Sequence, residues 1–169
     1  LALPLFRPDD APLFLLFLGR FHPLILHFPI VLIILVTLVE LARRFTSLKI
    51  RKSVIKILLI AAALSTIASI GAGFLLYASG EYAGNLIDQH FWAAAITGFA
   101  ILTTTALYFI YSDKKRYYSY YVAGLIISVT AVGYTSHVGG SVTHGQDYLT
   151  EHLSLIASDF KGSSARTES

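Results

Sequence analysis

Apolar residues dominate four stretches of the chain, and each stretch approaches the length of a bilayer crossing. Polar and turn-forming residues separate these stretches. The pattern predicts helices over about residues 23–42, 54–78, 90–111 and 120–137. Because the connections are short, consecutive helices are expected to be antiparallel neighbours. The expected fold is therefore all-α: an integral membrane, up-and-down four-helix bundle over residues 21–145.

Weaker apolar patterns flank the predicted bundle. Prolines and aspartates interrupt residues 1–20, and their apolar part is too short to cross a bilayer, so we expect an interfacial N-terminal arm. A second short interfacial helix, amphipathic and lying on the membrane surface, is predicted over residues 146–161. Its apolar residues recur at helical spacing: Leu149, Leu153, Ile156 and Phe160. Residues 162–169 have the composition of a linker or tail.

Composition agrees with a membrane protein and narrows the chemistry. Hydrophobic residues make up 55% of the chain and charged residues 14%, which leaves too little polar surface to cover a soluble globule. The chain has no cysteine, which excludes disulfides, thiolate metal sites and the Cys-x-x-Cys-His attachment of a c-type haem. It has no methionine that could ligate a metal either. The expected partner is the lipid bilayer, and no nucleic acid is expected.

The distribution of lysine and arginine predicts the orientation. The connections after the first and third predicted helices hold nine basic residues between Arg43 and Arg116, whereas the connection over residues 79–89 holds none. By the positive-inside rule the basic connections are cytoplasmic, and both termini lie on the outer side. All six histidines then fall on the outer side: His22, His27, His90, His137, His144 and His152.

Several imidazoles at one depth of a helical bundle suit a b-type haem. Such a haem needs two axial ligands from facing helices, and a cation near its propionates. His27 and His90 begin helices that lie diagonally in an up-and-down bundle, so they are the preferred ligand pair. His137 is the next candidate, and Arg20 is placed where propionates would emerge.

Each histidine also has a simpler interpretation. His22 precedes Pro23 and can cap the first helix or belong to a second site, His144 is either a ligand or a donor that stabilises a turn, and His152 suits an interfacial anchor. A zinc or copper site competes with haem, because both metals bind imidazole and carboxylate. Its candidate ligands are His27, His90 and His137, with Asp88, Asp147 and Glu151 nearby in the outer segments.

Three sequence blocks carry a resemblance to a known family. They are residues 19–29 (GRFHPLILHFP), 86–92 (LIDQHFW) and 137–149 (HVGGSVTHGQDYL). Together, in this order, they resemble the bacterial four-helix membrane domain of unknown function that is often found ahead of planctomycete-type cytochrome c domains. The resemblance implies an inner-membrane module that is associated with c-type cytochromes and respiratory electron transfer. In such a membrane the orientation predicted from the basic residues puts both termini on the periplasmic side. Because this chain lacks Cys-x-x-Cys-His, the cytochrome is expected in a separate chain or beyond Ser169.

Two functions of different classes follow. In the first, the protein is an electron-transfer subunit without independent catalysis, and a haem b exchanges electrons with a periplasmic cytochrome or with quinone. In the second, it is a structural or assembly subunit of a membrane complex, and its histidines hold loops or bind zinc or copper. Transport is less favoured, because no charged residue lies at the midplane of a predicted helix.

Overall fold

The computed structural model describes residues 12–47, 49–80, 82–111, 114–148, 150–153 and 156. Three short or medium helices come first: α1 (Leu13–Gly19), α2 (His22–Ile25) and α3 (His27–Phe45). Three helices of 27 residues each follow: α4 (Lys52–Ala78), α5 (Asn85–Tyr111) and α6 (Tyr118–His144). No strand occurs within these ranges, and the predicted all-α class is confirmed.

Four stretches have the length and hydropathy of membrane spans: Leu13–Phe45, Lys52–Ala78, Asn85–Ile110 and Tyr118–His144. Each span directs large apolar side chains away from the bundle. Val31, Ile57, Phe99 and Ile126 are examples, and each leaves more than half of its surface exposed. Apolar surface on every outer face is costly in water and favourable in lipid. The protein is therefore a multi-pass membrane protein with four candidate crossings.

Prolines divide the first span into its three helices. Pro23 lies in the first turn of α2 and Pro29 in the first turn of α3, where each removes a backbone N–H from the helical ladder. Both α1 and α2 pack against α4. At Gly19 the approach is so close that a Cβ atom would lie 2.8 Å from the backbone nitrogen of Leu76. Part of the expected interfacial arm is thus a helix packed on the bundle, and residues 1–11 lie outside the described residues.

Two helix ends differ from the sequence prediction. Helix α5 begins at Asn85 rather than His90, and α6 continues through Gly139 and Gly140 to His144. A glycine inside a helix costs about 1 kcal/mol relative to alanine, which packing against a neighbour can offset. The helix ends instead at Gly145, whose φ of 94° leaves the helical region. Of the predicted surface helix at 146–161 only part is described, and 162–169 lie outside the described residues.

The long helices form a closed bundle. Helix α4 packs against α3 and α5, while α6 packs against α5 and α3. The side chains between them are fully or almost fully buried, including Ile33, Ile55, Ile101 and Tyr121. The arrangement has two ends. We call the end with α1, α2, the start of α5 and the end of α6 the histidine end, and the opposite end the basic end.

The two helical hairpins follow one pattern of buried positions. The four buried positions of α3 recur in α5 after 68 residues, and five of the six buried positions of α4 recur in α6 after 66 residues; the exception is Ser69, whose counterpart Thr135 is half-buried. In the first pair of helices, the buried residues of α3 are Pro29, Ile33, Val36 and Glu40, and their counterparts in α5 are Thr97, Ile101, Thr104 and Tyr108. In the second pair, the residues of α4 are Ile55, Leu59, Ala62, Thr66 and Ala72, and their counterparts in α6 are Tyr121, Leu125, Ser128, Val132 and Val138. Corresponding helices run in the same direction, as in parallel internal repeats. We call this shared pattern of buried positions the internal repeat of the two hairpins.

Hydroxyl pairs join the second hairpin. The Oγ1 atoms of Thr97 and Thr135 are 2.7 Å apart, and Thr104 Oγ1 lies 3.0 Å from Ser128 Oγ. Both contacts cross from α5 to α6. An interhelical hydrogen bond in a membrane contributes about 0.6 kcal/mol on average. These pairs fix the axial register of α5 against α6, which apolar packing alone would not fix.

A buried carboxylate organises the basic end. Glu40, 6% exposed, accepts hydrogen bonds from the Tyr118 hydroxyl at 2.7 Å and the Tyr121 hydroxyl at 3.3 Å. Arg43 donates to both of its oxygens, at 3.3 and 3.4 Å. Both carboxylate oxygens are therefore satisfied, as burial of a charge requires. The network ties α3 to α6.

Candidate functional site

Two of the six histidines face the interior of the bundle. His22 and His90 are half-buried, whereas the other four are exposed. His22 is the first residue of α2, and His90 lies in the second turn of α5. The histidine end therefore brings together one imidazole from each half of the internal repeat.

The two rings form a pair across the bundle. Their centres are 6.4 Å apart and their planes are inclined by 71°. This separation lies within the range of an edge-to-face ring contact, about 4.5–7 Å. It also matches two imidazoles that bind one metal from opposite sides at about 2 Å each, which places the ring centres roughly 6 Å apart. The hydrogen bonds of each ring help to distinguish the two arrangements.

Helix α4 holds the ring of His22. Its Nδ1 lies 2.9 Å from the backbone oxygen of Ser69. A carbonyl oxygen only accepts hydrogen bonds, so Nδ1 carries the proton and the neutral ring keeps its lone pair on Nε2. One turn further along α4, a Cβ atom on Gly73 would lie 2.8 Å from Cε1 of His22. The absence of a side chain at Gly73 thus makes room for this imidazole, and Nε2 keeps a lone pair that can bind a metal.

Helix α6 holds the ring of His90 in a matching way. A Cβ atom on Gly139 would lie 2.8 Å from Cε1 and 3.1 Å from Nδ1 of His90. The backbone of Thr135, one turn earlier, is beside the ring. In the described part of the chain, however, the buried Nδ1 atom has no hydrogen-bond partner. A buried polar atom without a partner costs about 1–3 kcal/mol, which is typical of a site that does more than fill space.

The remaining candidates lie outside this pair. His27 is exposed at the start of α3, so the structure does not bring the expected pair of His27 and His90 together. His137 lines a shallow depression of ≈ 290 Å³ on the outer face of α6. His144 stacks on Tyr148 with ring centres 4.5 Å apart. Arg20 is exposed at the junction of α1 and α2, two positions before His22.

The described residues do not assemble a cluster of metal ligands. Among them, no group of three or more His, Asp or Glu side chains is close enough to hold a metal ion. Asp88, one of the expected carboxylates, instead accepts a hydrogen bond from the Tyr77 hydroxyl at 2.7 Å. A tetrahedral zinc site requires more protein ligands than two imidazoles. Two imidazoles are sufficient where a planar macrocycle supplies the other ligands.

The sequence contains a signal that selects His22. Pro29 and Val36 are buried on α3 and lie seven residues apart. Seven residues before Pro29 is His22, on the same helical face, whereas His27 falls on another side. The sequence gives no such signal for the backbone oxygen of Ser69, because every residue carries a backbone oxygen.

Comparison of the chain with protein-family models, with curated proteins and with solved structures gave no match. The resemblance of the three sequence blocks therefore stays a prediction. The geometry of His22 and His90 carries the functional argument.

Proposed function

We propose that this protein is a membrane electron-transfer subunit that binds a haem b between His22 and His90. The observation that carries the proposal is the pairing of these rings, 6.4 Å apart, from opposite halves of the internal repeat. Two imidazoles in an apolar bundle lose hydration, and a shared metal would satisfy both.

His22 and His90 are the residues that would hold a haem iron between them. Nε2 of His22 has its lone pair available because Nδ1 donates to Ser69. The ring of His90 faces that of His22 with ring centres 6.4 Å apart, and its Nε2 would supply the second nitrogen ligand. Arg20 lies two positions from His22 and is placed to interact with a propionate. A bound haem supplies a one-electron redox centre, and its axial ligands, burial and hydrogen bonds set the potential.

The position of His22 and His90 at one end of the bundle suggests on which side of the membrane the electron partner binds. Basic residues of the helix connections lie at the other end of the bundle, which by the positive-inside rule is cytoplasmic. The histidine end then faces the periplasm across a bacterial inner membrane. A c-type cytochrome, another subunit of a respiratory complex, or quinone would exchange electrons there, in agreement with the resemblance of the three blocks.

The test is the absorption spectrum of the purified full chain, with and without reductant. We expect a Soret band, and sharp α and β bands after reduction. His22→Ala and His90→Ala should each lose these bands, because each removes one axial ligand. His27→Ala is the matched control from the same motif, and it should keep the wild-type spectrum because its side chain is exposed.

The outcomes separate the alternatives. A colourless wild-type protein that keeps its helical circular dichroism and does not take up added haemin would exclude the haem proposal. If such a colourless sample instead binds zinc or copper through two histidines, and His22→Ala loses the metal, the result would favour the metal site. If His27→Ala loses the bands and His22→Ala keeps them, the ligand assignment is wrong.

A further inference from the structure

The two histidines are held by the same backbone device. Ser69 and Gly73 lie four residues apart on α4, and Thr135 and Gly139 lie four residues apart on α6. In each pair the second residue lacks the Cβ that would meet the ring. The carbonyl of the first residue accepts from Nδ1 of His22 in α4, whereas in the described part of the chain Nδ1 of His90 has no hydrogen-bond partner. Each pair is one helical turn, so both act on a single ring.

The internal repeat makes this correspondence specific. Ser69 and Thr135 are separated by 66 residues, as are Gly73 and Gly139, which is the offset between the buried positions of α4 and α6. His22 and His90 are separated by 68 residues, the offset between α3 and α5. A histidine, a glycine and the residue four positions before that glycine therefore occur at corresponding positions of both hairpins.

We propose that Ser69–Gly73 and Thr135–Gly139 are two equivalent imidazole seats, which hold His22 and His90 with Nδ1 protonated and both Nε2 atoms available to one ligand. A seat here means the turn whose carbonyl accepts from Nδ1 and whose glycine contacts the ring. For His22 the hydrogen bond is 2.9 Å long. For His90 we expect the corresponding bond to the Thr135 carbonyl once the ring turns toward it, which would give the buried Nδ1 the partner that it lacks.

The paired seats define the class of ligand. Because the rings are related by the repeat, a ligand between them meets the same donor on both faces. A metal centre with two open positions on opposite sides of a planar macrocycle meets this requirement. This identification rests on the proposed haem function, whereas the seats themselves are properties of the chain alone.

The first test examines the histidines without any cofactor. Nitrogen NMR of the full chain in nanodiscs, with ¹⁵N-labelled histidine, reports which ring nitrogen carries the proton. We expect the Nδ1-protonated form for both His22 and His90, assigned by His→Ala variants. Gly73→Ala should shift the signals of His22 and Gly139→Ala those of His90, because an added Cβ would lie 2.8 Å from Cε1 in each case.

Two glycines provide matched controls. A Cβ atom on Gly71, in α4, or on Gly140, in α6, would meet no atom within 4 Å. Gly71→Ala and Gly140→Ala should therefore leave both histidine signals unchanged. An Nε2-protonated ring at either position, or equal shifts in the control variants, would overturn the seats.

The second test applies to the haem-loaded protein. Gly73→Ala and Gly139→Ala should each displace one ligand and convert a six-coordinate low-spin spectrum to a high-spin one, with the same helical circular dichroism as wild type. The control variants should stay low-spin. If the wild-type protein shows no haem bands, the proposed function is wrong, and the NMR experiment alone decides whether the two seats exist. Low-spin spectra in Gly73→Ala and Gly139→Ala would contradict the seats while keeping the function.

Discussion

At the scale of single residues, position on a helical face decides which of several similar side chains lies inside the bundle. His22 and His27 occupy one motif, yet their separation of five residues places them about 140° apart around a helix. The sequence prediction favoured His27 because it lies on an apolar helix diagonal to that of His90, whereas the periodicity of the buried residues favours His22. Tyr118 and Tyr121 show the same effect, because both donate hydrogen bonds to Glu40 inside the bundle, whereas the neighbouring Tyr120 is exposed.

Glu40 gives the first prediction at this scale. Glu40→Gln removes the charge that pairs with Arg43 and leaves one amide nitrogen facing hydroxyl and guanidinium donors. Loss of one partner of a buried ion pair costs about 3–5 kcal/mol, and the partial exposure of Arg43 reduces this to roughly 2–3 kcal/mol. The free energy of unfolding in a denaturing detergent titration measures the loss.

Arg44→Gln is the control for Glu40→Gln, because Arg44 is exposed and adjacent to the pair. It should unfold like the wild type. Equal stability of Glu40→Gln and wild type would show that the buried network does not stabilise the bundle.

At the scale of elements, the interior of a helix was more predictable than its ends. The four apolar stretches were found from hydropathy because lipid requires long uninterrupted helices. The end of α6 was misplaced at Gly139 and Gly140, since glycine is a local signal for a helix end. Contact between Gly139 and the ring of His90 explains why glycine is present there, and this contact is between residues distant in sequence.

The hydroxyl pairs between α5 and α6 give a prediction for this scale. A double-mutant cycle with Thr104→Val and Ser128→Ala should yield a coupling energy of about 0.6 kcal/mol, the average for interhelical bonds in membranes. The same detergent titration measures all four proteins. Because both side chains are almost fully buried, lipid contact should not obscure the coupling. A coupling of zero would assign the contact to packing alone.

At the scale of the whole molecule, the sequence predicted the bundle and missed its internal repeat. Corresponding residues differ in chemistry, as in Thr66 against Val132 and Glu40 against Tyr108, so the halves share a burial pattern and little sequence. Only the structure reports which residues are buried. The two histidines are the clearest shared residues, and the repeat explains why they meet.

Because the sequence contains no cysteine, single introduced cysteines can report the orientation of the molecule in the membrane. A single cysteine introduced as Gln146→Cys lies exposed beyond α6 at the histidine end, and Ser47→Cys lies exposed at the basic end. In intact spheroplasts a membrane-impermeant thiol reagent should label the first variant and spare the second. After membrane disruption it should label both. Labelling of Ser47→Cys in intact cells would invert the proposed orientation.

The repeat has a consequence for how the protein enters its membrane. Each hairpin contains its own basic connection, so each carries a complete topogenic signal. The insertion machinery can therefore orient the second hairpin from its own charges, without instruction from the first. The half-sites for the imidazoles would be delivered separately and completed by lateral association of the hairpins. For the proposed site and orientation, we therefore expect assembly of the site late in biogenesis, after both hairpins are in lipid.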